Sequence, residues 1–168
     1  MRIFLIGMPG CGKSTFGRKV AADLNLPFFD LDHEIVHREG TSISNIFENQ
    51  GEDYFREVES RLLHEITLSN QKFIMATGGG APCFFDNMAF MNDHGISIYI
   101  DADIEHLLSR LSEKGIEKRP LLKQIGMENL KDGLKEKLES RKIFYHQAKV
   151  ILPYHQGLEK DIIRSITN

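Results

Sequence analysis

One octet limits what this chain can fold into more than any other feature. Gly7-Met8-Pro9-Gly10-Cys11-Gly12-Lys13-Ser14 reads G-x-x-x-x-G-K-S. The apolar run RIFLI precedes it, and GKSTFGRKVAADLNL follows, with Phe16, Val20 and Leu24 at i, i+4 and i+8. A short continuous apolar run ending at a glycine reads as a buried strand, and the stripe reads as a helix that Pro27 stops. Glycines let the backbone turn and aim successive N–H groups at phosphate oxygens, while the helix adds the positive end of its dipole. Lys13 offers a point charge to the β- and γ-phosphates, and Ser14 offers a hydroxyl to Mg²⁺.

The rest of the chain is consistent with such a unit. FFDL, KFIMAT, ISIYID and KVILP read as further strands. Helices are expected from about 32 to 39, 53–69, 84–94, 103–113, 128–147 and 157–166, the second with Phe55, Val58, Leu62 and Ile66 on one face. Residues 114–126, with glycines near both ends and Pro120 inside, read as a mobile loop. Strands alternating with helices imply an α/β fold, a parallel five-stranded sheet covered on both faces, with ligands at the carboxyl ends of the strands. The 168 residues, 41% hydrophobic and 27% charged, suit one domain, 1–168. A net charge of −3 does not favour nucleic acid as a partner. Two cysteines fit a reduced, cytoplasmic protein better than a disulfide scaffold. MRIFLIG is too short for a signal or a membrane span, so no membrane association is expected.

A second motif competes with the first. His33-Glu34-Ile35-Val36-His37 is H-E-x-x-H, with Gly40 three residues on. That spacing puts two imidazoles one helical turn apart to hold Zn²⁺, with the glutamate as general base. Both motifs are about equally rare by chance, so context decides. The zinc-type helix would run only about two turns, and Ile43 occupies the position of a third histidine. Spacing leaves Glu57 or Glu59 open as a carboxylate ligand. The plainer reading makes His33 and His37 exposed helix residues beside a functional aspartate, because Asp30 and Asp32 leave the second strand at its carboxyl end.

Taken in order, GMPGCGKST, FFDLD, FREVE, ATGGGA, KRPLL and ESRKIFY resemble the shikimate kinase family, a small branch of the P-loop kinases. The similarity runs from Arg2 to about Ile166. It implies a three-layer P-loop kinase fold with a phosphate loop at 7–14, a shikimate-binding helical region at about 32–62 and a lid at about 114–126. It implies that Gly10, Cys11, Gly12, Lys13, Ser14 and Thr15 hold ATP, with Arg110 near the adenine. Ser14 and Asp30 would hold Mg²⁺. Asp32 would accept hydrogen bonds from shikimate hydroxyls and take the proton of the attacking one; an ionised carboxylate is acceptor-only, which suits a polyol. Read without the family, Asp32 is a helix N-cap. Arg56 and Arg141 would clamp the carboxylate, a task for a planar fork, with Glu59 orienting Arg56. Read alone, Arg56 pairs at the surface with Glu52 and Glu59 is a solvated helix charge. Gly78, Gly79 and Gly80 would meet the substrate through backbone, with Thr77 supporting the turn. Arg119 would close with the lid over the transferring group.

The activity so implied is ATP-dependent phosphorylation of the 3-hydroxyl of shikimate, toward chorismate and the aromatic amino acids, by a monomer. Met8-Pro9 and Leu31 depart from residues frequent in the family. Cys11 sits at a variable loop position where a helix N-terminus favours a thiolate, although an inert thiol is the commoner outcome. The competing classes are a kinase for gluconate or a nucleotide on the same scaffold, a nucleotide switch, and a zinc hydrolase.

Overall fold

β1 (Arg2–Ile6) buries Ile3 to Ile6 completely and lies at the centre of a parallel five-stranded sheet. The computed structural model describes residues 1–111, 120–126 and 129–167. The other strands are β2 (Phe28–Asp30), β3 (Phe73–Ala76), β4 (Ile96–Asp101) and β5 (Val150–Pro153). Their spatial order is β2-β3-β1-β4-β5. β1 pairs with β3 on one side (Phe4 opposite Met75) and with β4 on the other (Leu5 opposite Ile98). The chain leaves β1 for the β2 edge, returns to β3, then crosses to β4. Such a reversal opens a crevice at the carboxyl ends of the strands, and β1, β2 and β3 all deliver their next residues there.

α1 (Lys13–Leu24) begins behind Gly12, which adopts φ +94°. It buries Phe16, Val20 and Ala21 and ends at Asn25, a left-handed cap whose N–H reaches Ala21 O and Ala22 O. The helix therefore stops two residues before Pro27, on its own cap. Gly17 is the point of close approach: a Cβ there would lie 2.6 Å from Phe28 Cε2 and 3.1 Å from Leu5 Cδ1. That contact seats the helix, and with it the phosphate-loop end, on the sheet.

α2 (Leu31–Glu39) is capped by Asp30, which accepts from His33 N, so Asp30 rather than Asp32 is the N-cap. α3 (Ile43–Ser69) starts at the Ser42 cap and is broken at Gly51 (φ +84°, ψ 172°). The expected 53–69 helix is its second part; the first part, from Ile43 to the break, was not anticipated. α4 (Asn87–His94) begins later than expected, after a 3-10 turn (Ala81–Cys83) and two positive-φ residues, Phe85 and Asp86. α5 (Ile104–Arg110) follows β4, and α7 (Leu130–Tyr145) and α8 (Leu158–Thr167) complete the layers. Between α5 and α7, α6 (Pro120–Lys123) is a helical turn inside the stretch expected to be loop; residues 114–119 of that stretch, Arg119 included, lie outside the described residues, as do 112 and 113 of the helix expected over 103–113. Among the described residues no helix is long and apolar enough to cross a membrane.

Candidate active site

The crevice is a cleft of about 360 Å³. Gly10, Gly12, Lys13, Ser14 and Thr15 line one end, and Arg56, Glu59, Gly78, Gly79, Gly80 and Arg141 line the other, with Asp30 and Asp32 also on its wall. Cys11 is not on the wall. Its side chain is fully buried, and its N–H donates to Met8 O at 3.2 Å.

Gly7, Gly10 and Gly12 all have positive φ, the geometry that lets this loop coil. Lys13 is only 8% exposed. Its Nζ donates to Gly7 O (2.8 Å) and Met8 O (2.9 Å) and lies 3.6 Å from Cys11 Sγ. The ammonium thus closes the loop on itself while still facing the cleft. Ser14 Oγ donates to Asp30 Oδ2 at 2.5 Å, joining the first turn of α1 to the end of β2.

The other end is built around Arg56, which is 4% exposed. Nη1 donates to Glu59 Oε2 at 2.6 Å, while Nε and Nη2 reach Glu52 Oε1 at 3.2 and 3.1 Å. The guanidinium lies 5.0 Å from the Phe55 ring centre and 4.5 Å from that of Phe84, within cation–π range. The pair with Glu52 exists, but it is no surface pair on Arg56's side. Burial pulls the Arg56 pKa down; the carboxylates of Glu59 and Glu52 more than offset this, and the net shift is upward. Glu59 is fully buried rather than solvated. Burial pushes its carboxyl up to about 7, opposed by Arg56 and reinforced by the charge of Asp32. Its Oε1 has no hydrogen-bond partner among the described residues.

The three glycines explain themselves here. A Cβ at Gly78 would sit 2.4 Å from Glu59 Oε1 and 3.0 Å from Asp32 Oδ1. At Gly79 it would meet Pro9 Cδ at 2.8 Å and Arg141 Nη1 at 3.2 Å; at Gly80, Arg56 Nη2 at 2.5 Å and Nη1 at 2.7 Å. None of the three needs positive φ. They are bare because the charged side chains of the site press against that backbone. Thr77 holds the preceding residue to β1 through Oγ1 and N, both donating to Leu5 O. Tyr145 OH donates to Gly79 O at 2.5 Å, which ties α7, and hence Arg141, to the same turn.

Gly80→Ala tests that packing. The Arg56 head is pinned by two carboxylates and two rings, so it cannot swing aside freely. The substitution is expected to cost about 1–3 kcal/mol of stability by urea denaturation. A change below about 0.5 kcal/mol, the scale of an ordinary surface substitution, would mean the guanidinium is loosely held.

Arg110, exposed at the end of α5, lines the cleft, as do Pro120, Leu121 and Leu122 of α6. Sequence reasoning missed the apolar wall made by Ile43 and Phe47, and it missed Lys137. The wall was detectable: Ser42 followed by Ile43, Ile46 and Phe47 is a cap and an i, i+3, i+4 stripe. His33 and His37 are exposed on α2, and among the described residues no three His, Cys, Asp or Glu side chains stand together as a metal cluster.

Comparison with known proteins agrees with this geometry. The shikimate kinase family model matches residues 9–168. A shikimate kinase of Parabacteroides distasonis is 40% identical over 167 residues, covering 99% of this chain and 95% of its own. That of Bacteroides fragilis (strain ATCC 25285) is 42% identical over 151 residues, 90% of this chain and 83% of its own. Among solved structures, the Acinetobacter baumannii shikimate kinase in complex with shikimate superposes with a TM-score of 0.87 at 36% identity, covering 98% of this chain and 89% of that one. The Bacteroides thetaiotaomicron shikimate kinase superposes at 0.86 with 35% identity, covering 99% and 96%. With a glycine-rich loop and two guanidinium groups on the wall of one cleft, and relatives of this kind along nearly its whole length, the chain belongs to the shikimate kinase family.

Proposed function

We propose that this chain transfers the terminal phosphoryl group of ATP to the 3-hydroxyl of shikimate, directly and in line. The observation that carries the reading is that one cleft holds both the phosphate loop and the Asp32, Arg56, Arg141 and triple-glycine cluster. Held at opposite ends of it, donor and acceptor need no diffusion between them.

In this reading phosphate oxygens replace the carbonyls of Gly7 and Met8 as partners of Lys13, and the loop amides take the remaining oxygens. Asp32 accepts from the acceptor hydroxyl and fixes its direction. The acceptor carboxylate takes Arg141 and the Nε–Nη2 side of Arg56, displacing half-exposed Glu52 rather than buried Glu59. Ile43 and Phe47 cover the apolar face of the ring. Ser14 and Asp30 fit Mg²⁺: a hydroxyl and a carboxylate oxygen already in contact are the hard donors this ion takes. When bound, the ion supplies charge neutralisation on the phosphates. Arg119 is assigned to the transferring group, and its neighbour Pro120 on the cleft wall supports that assignment. Closure by the 114–126 segment would exclude water, the competing acceptor. We further read the protein as a cytoplasmic monomer, as its two free cysteines suit.

The test is ADP release by purified protein, coupled to a spectrophotometric readout, with shikimate, gluconate and nucleoside monophosphates as acceptors. Turnover dependent on shikimate alone is the expected result. Normal ATP binding without shikimate-dependent turnover overturns the reading.

A further inference from the structure

The acceptor end of the cleft gathers three cations, Arg56, Arg141 and Lys137, on its lining. Arg56 is answered by Glu59 and Glu52. Arg141 has Met8 Sδ at 3.9 Å but no ion pair among the described residues. Lys137 precedes Arg141 by four residues, so both project from one face of α7. It is half-buried and likewise forms no ion pair among the described residues. It lines the main cleft, and it also lines an adjoining cavity of about 220 Å³ together with Glu52, Arg56, Cys83 and Arg141. A lysine serving only solubility keeps its ammonium in bulk water. This one lines the same cavities as two guanidinium groups whose charges oppose its own, a repulsion that a bound anion relieves.

We propose that Lys137 is a specificity-determining residue, a third cation that joins Arg56 and Arg141 on the carboxylate of the acceptor. This rests on the reading of the chain as a kinase for shikimate and deepens it. The charged and titratable groups facing Lys137 are Glu52 and Arg56 from α3, Arg141 from α7 and Cys83 from the 3-10 turn. Burial, then Arg141, lowers the Lys137 pKa below the ordinary lysine range; Glu52 opposes this and Arg56 adds to it. A bound carboxylate favours the charged ammonium, so binding is linked to its protonation. Affinity for the acid therefore falls as pH rises through the pKa of Lys137 in the free enzyme.

Lys137→Met keeps the stem and removes the charge. The KM for shikimate is expected to rise roughly tenfold, with kcat and the KM for ATP within about twofold of the parent. Lys137→Arg should restore most of the loss. The parent's KM should climb at alkaline pH, and Lys137→Met should lack that climb. A shikimate analogue bearing a carboxamide in place of the carboxylate should be used equally well by parent and Lys137→Met. A shikimate KM unchanged in the variant, or an equal loss on the carboxamide, overturns the role of Lys137 while leaving the kinase reading intact. A parent that does not turn over shikimate overturns both.

Discussion

Arg56→Met is expected to cost about 1–2 kcal/mol of stability at pH 5 and up to about 1.4 kcal/mol more at pH 8. The difference lies in Glu59, fully buried and paired through Oε2 with Arg56 while Oε1 meets no partner among the described residues. Removing the guanidinium takes away the positive charge that favours the ionised form of Glu59. Burial already holds this carboxyl at about 7, above its ordinary 4.5. Loss of the opposing positive charge moves it higher still. A carboxyl whose folded pKa exceeds its unfolded value contributes its full stability below the unfolded value and loses it as pH rises through the folded one. At pH 5 Glu59 holds a proton, and the variant lacks only the hydrogen bonds and ring contacts of Arg56. At pH 8, one unit above the parent's midpoint of about 7, the parent gains from ionising Glu59 beside Arg56 and the variant does not. This adds up to about 1.4 kcal/mol to the variant's loss. Urea denaturation at the two pH values measures both terms, and adding Glu59→Gln should abolish the pH dependence. An equal loss at pH 5 and pH 8 would mean that Glu59 is not the origin. If Arg56 clamps the acid as proposed, activity should not return at low pH, and the shikimate KM is expected to rise by about one to three orders of magnitude.

The same pair shows what the sequence could and could not disclose. The sheet, its parallel sense and the loop at 7–14 were legible because they rest on local patterns: an apolar run, a glycine spacing, a helical stripe. Arg56 and Glu59 were legible as neighbours, three residues apart on a helix. Their burial was not, because it depends on Phe84 and the Gly78–Gly80 backbone arriving from β3, a long-range contact with no local signature. The glycines were read as a backbone surface for a ligand; not legible was that an added Cβ there would also meet Asp32, Glu59, Arg56 and Arg141. The first part of α3 was overlooked although its cap and stripe were present. Gly51, which breaks the pattern, separated that short piece from the stronger helix after it. Lys137 looked like one of many helix lysines, and only the position of α7 against the glycine turn, fixed by Tyr145 and Gly79, turns it toward the cleft.

Asp32→Asn is expected to lower kcat by about 10²–10⁴ while leaving the KM for ATP within about twofold. The nucleotide end depends on Lys13, Ser14 and the loop backbone, none of which the change touches. Asparagine keeps the size of the side chain, exchanges one acceptor for a donor and cannot take a proton. Phosphoryl transfer through a loose transition state asks little of a base early on, so much of the loss arises from misdirecting the acceptor hydroxyl. A loss under tenfold would remove Asp32 from the reaction. The substitution also has a second, independent readout. Asp32 and Glu59 both approach Gly78, and the negative charge of Asp32 helps to raise the Glu59 pKa. Neutralising Asp32 removes that repulsion, so the Glu59 midpoint must move down from about 7. Carbon-13 NMR of the Glu59 carboxyl reads this without turnover. If the midpoint stays in place while kcat collapses, the two carboxylates are not coupled across Gly78, and the tight spacing at that glycine has no electrostatic consequence.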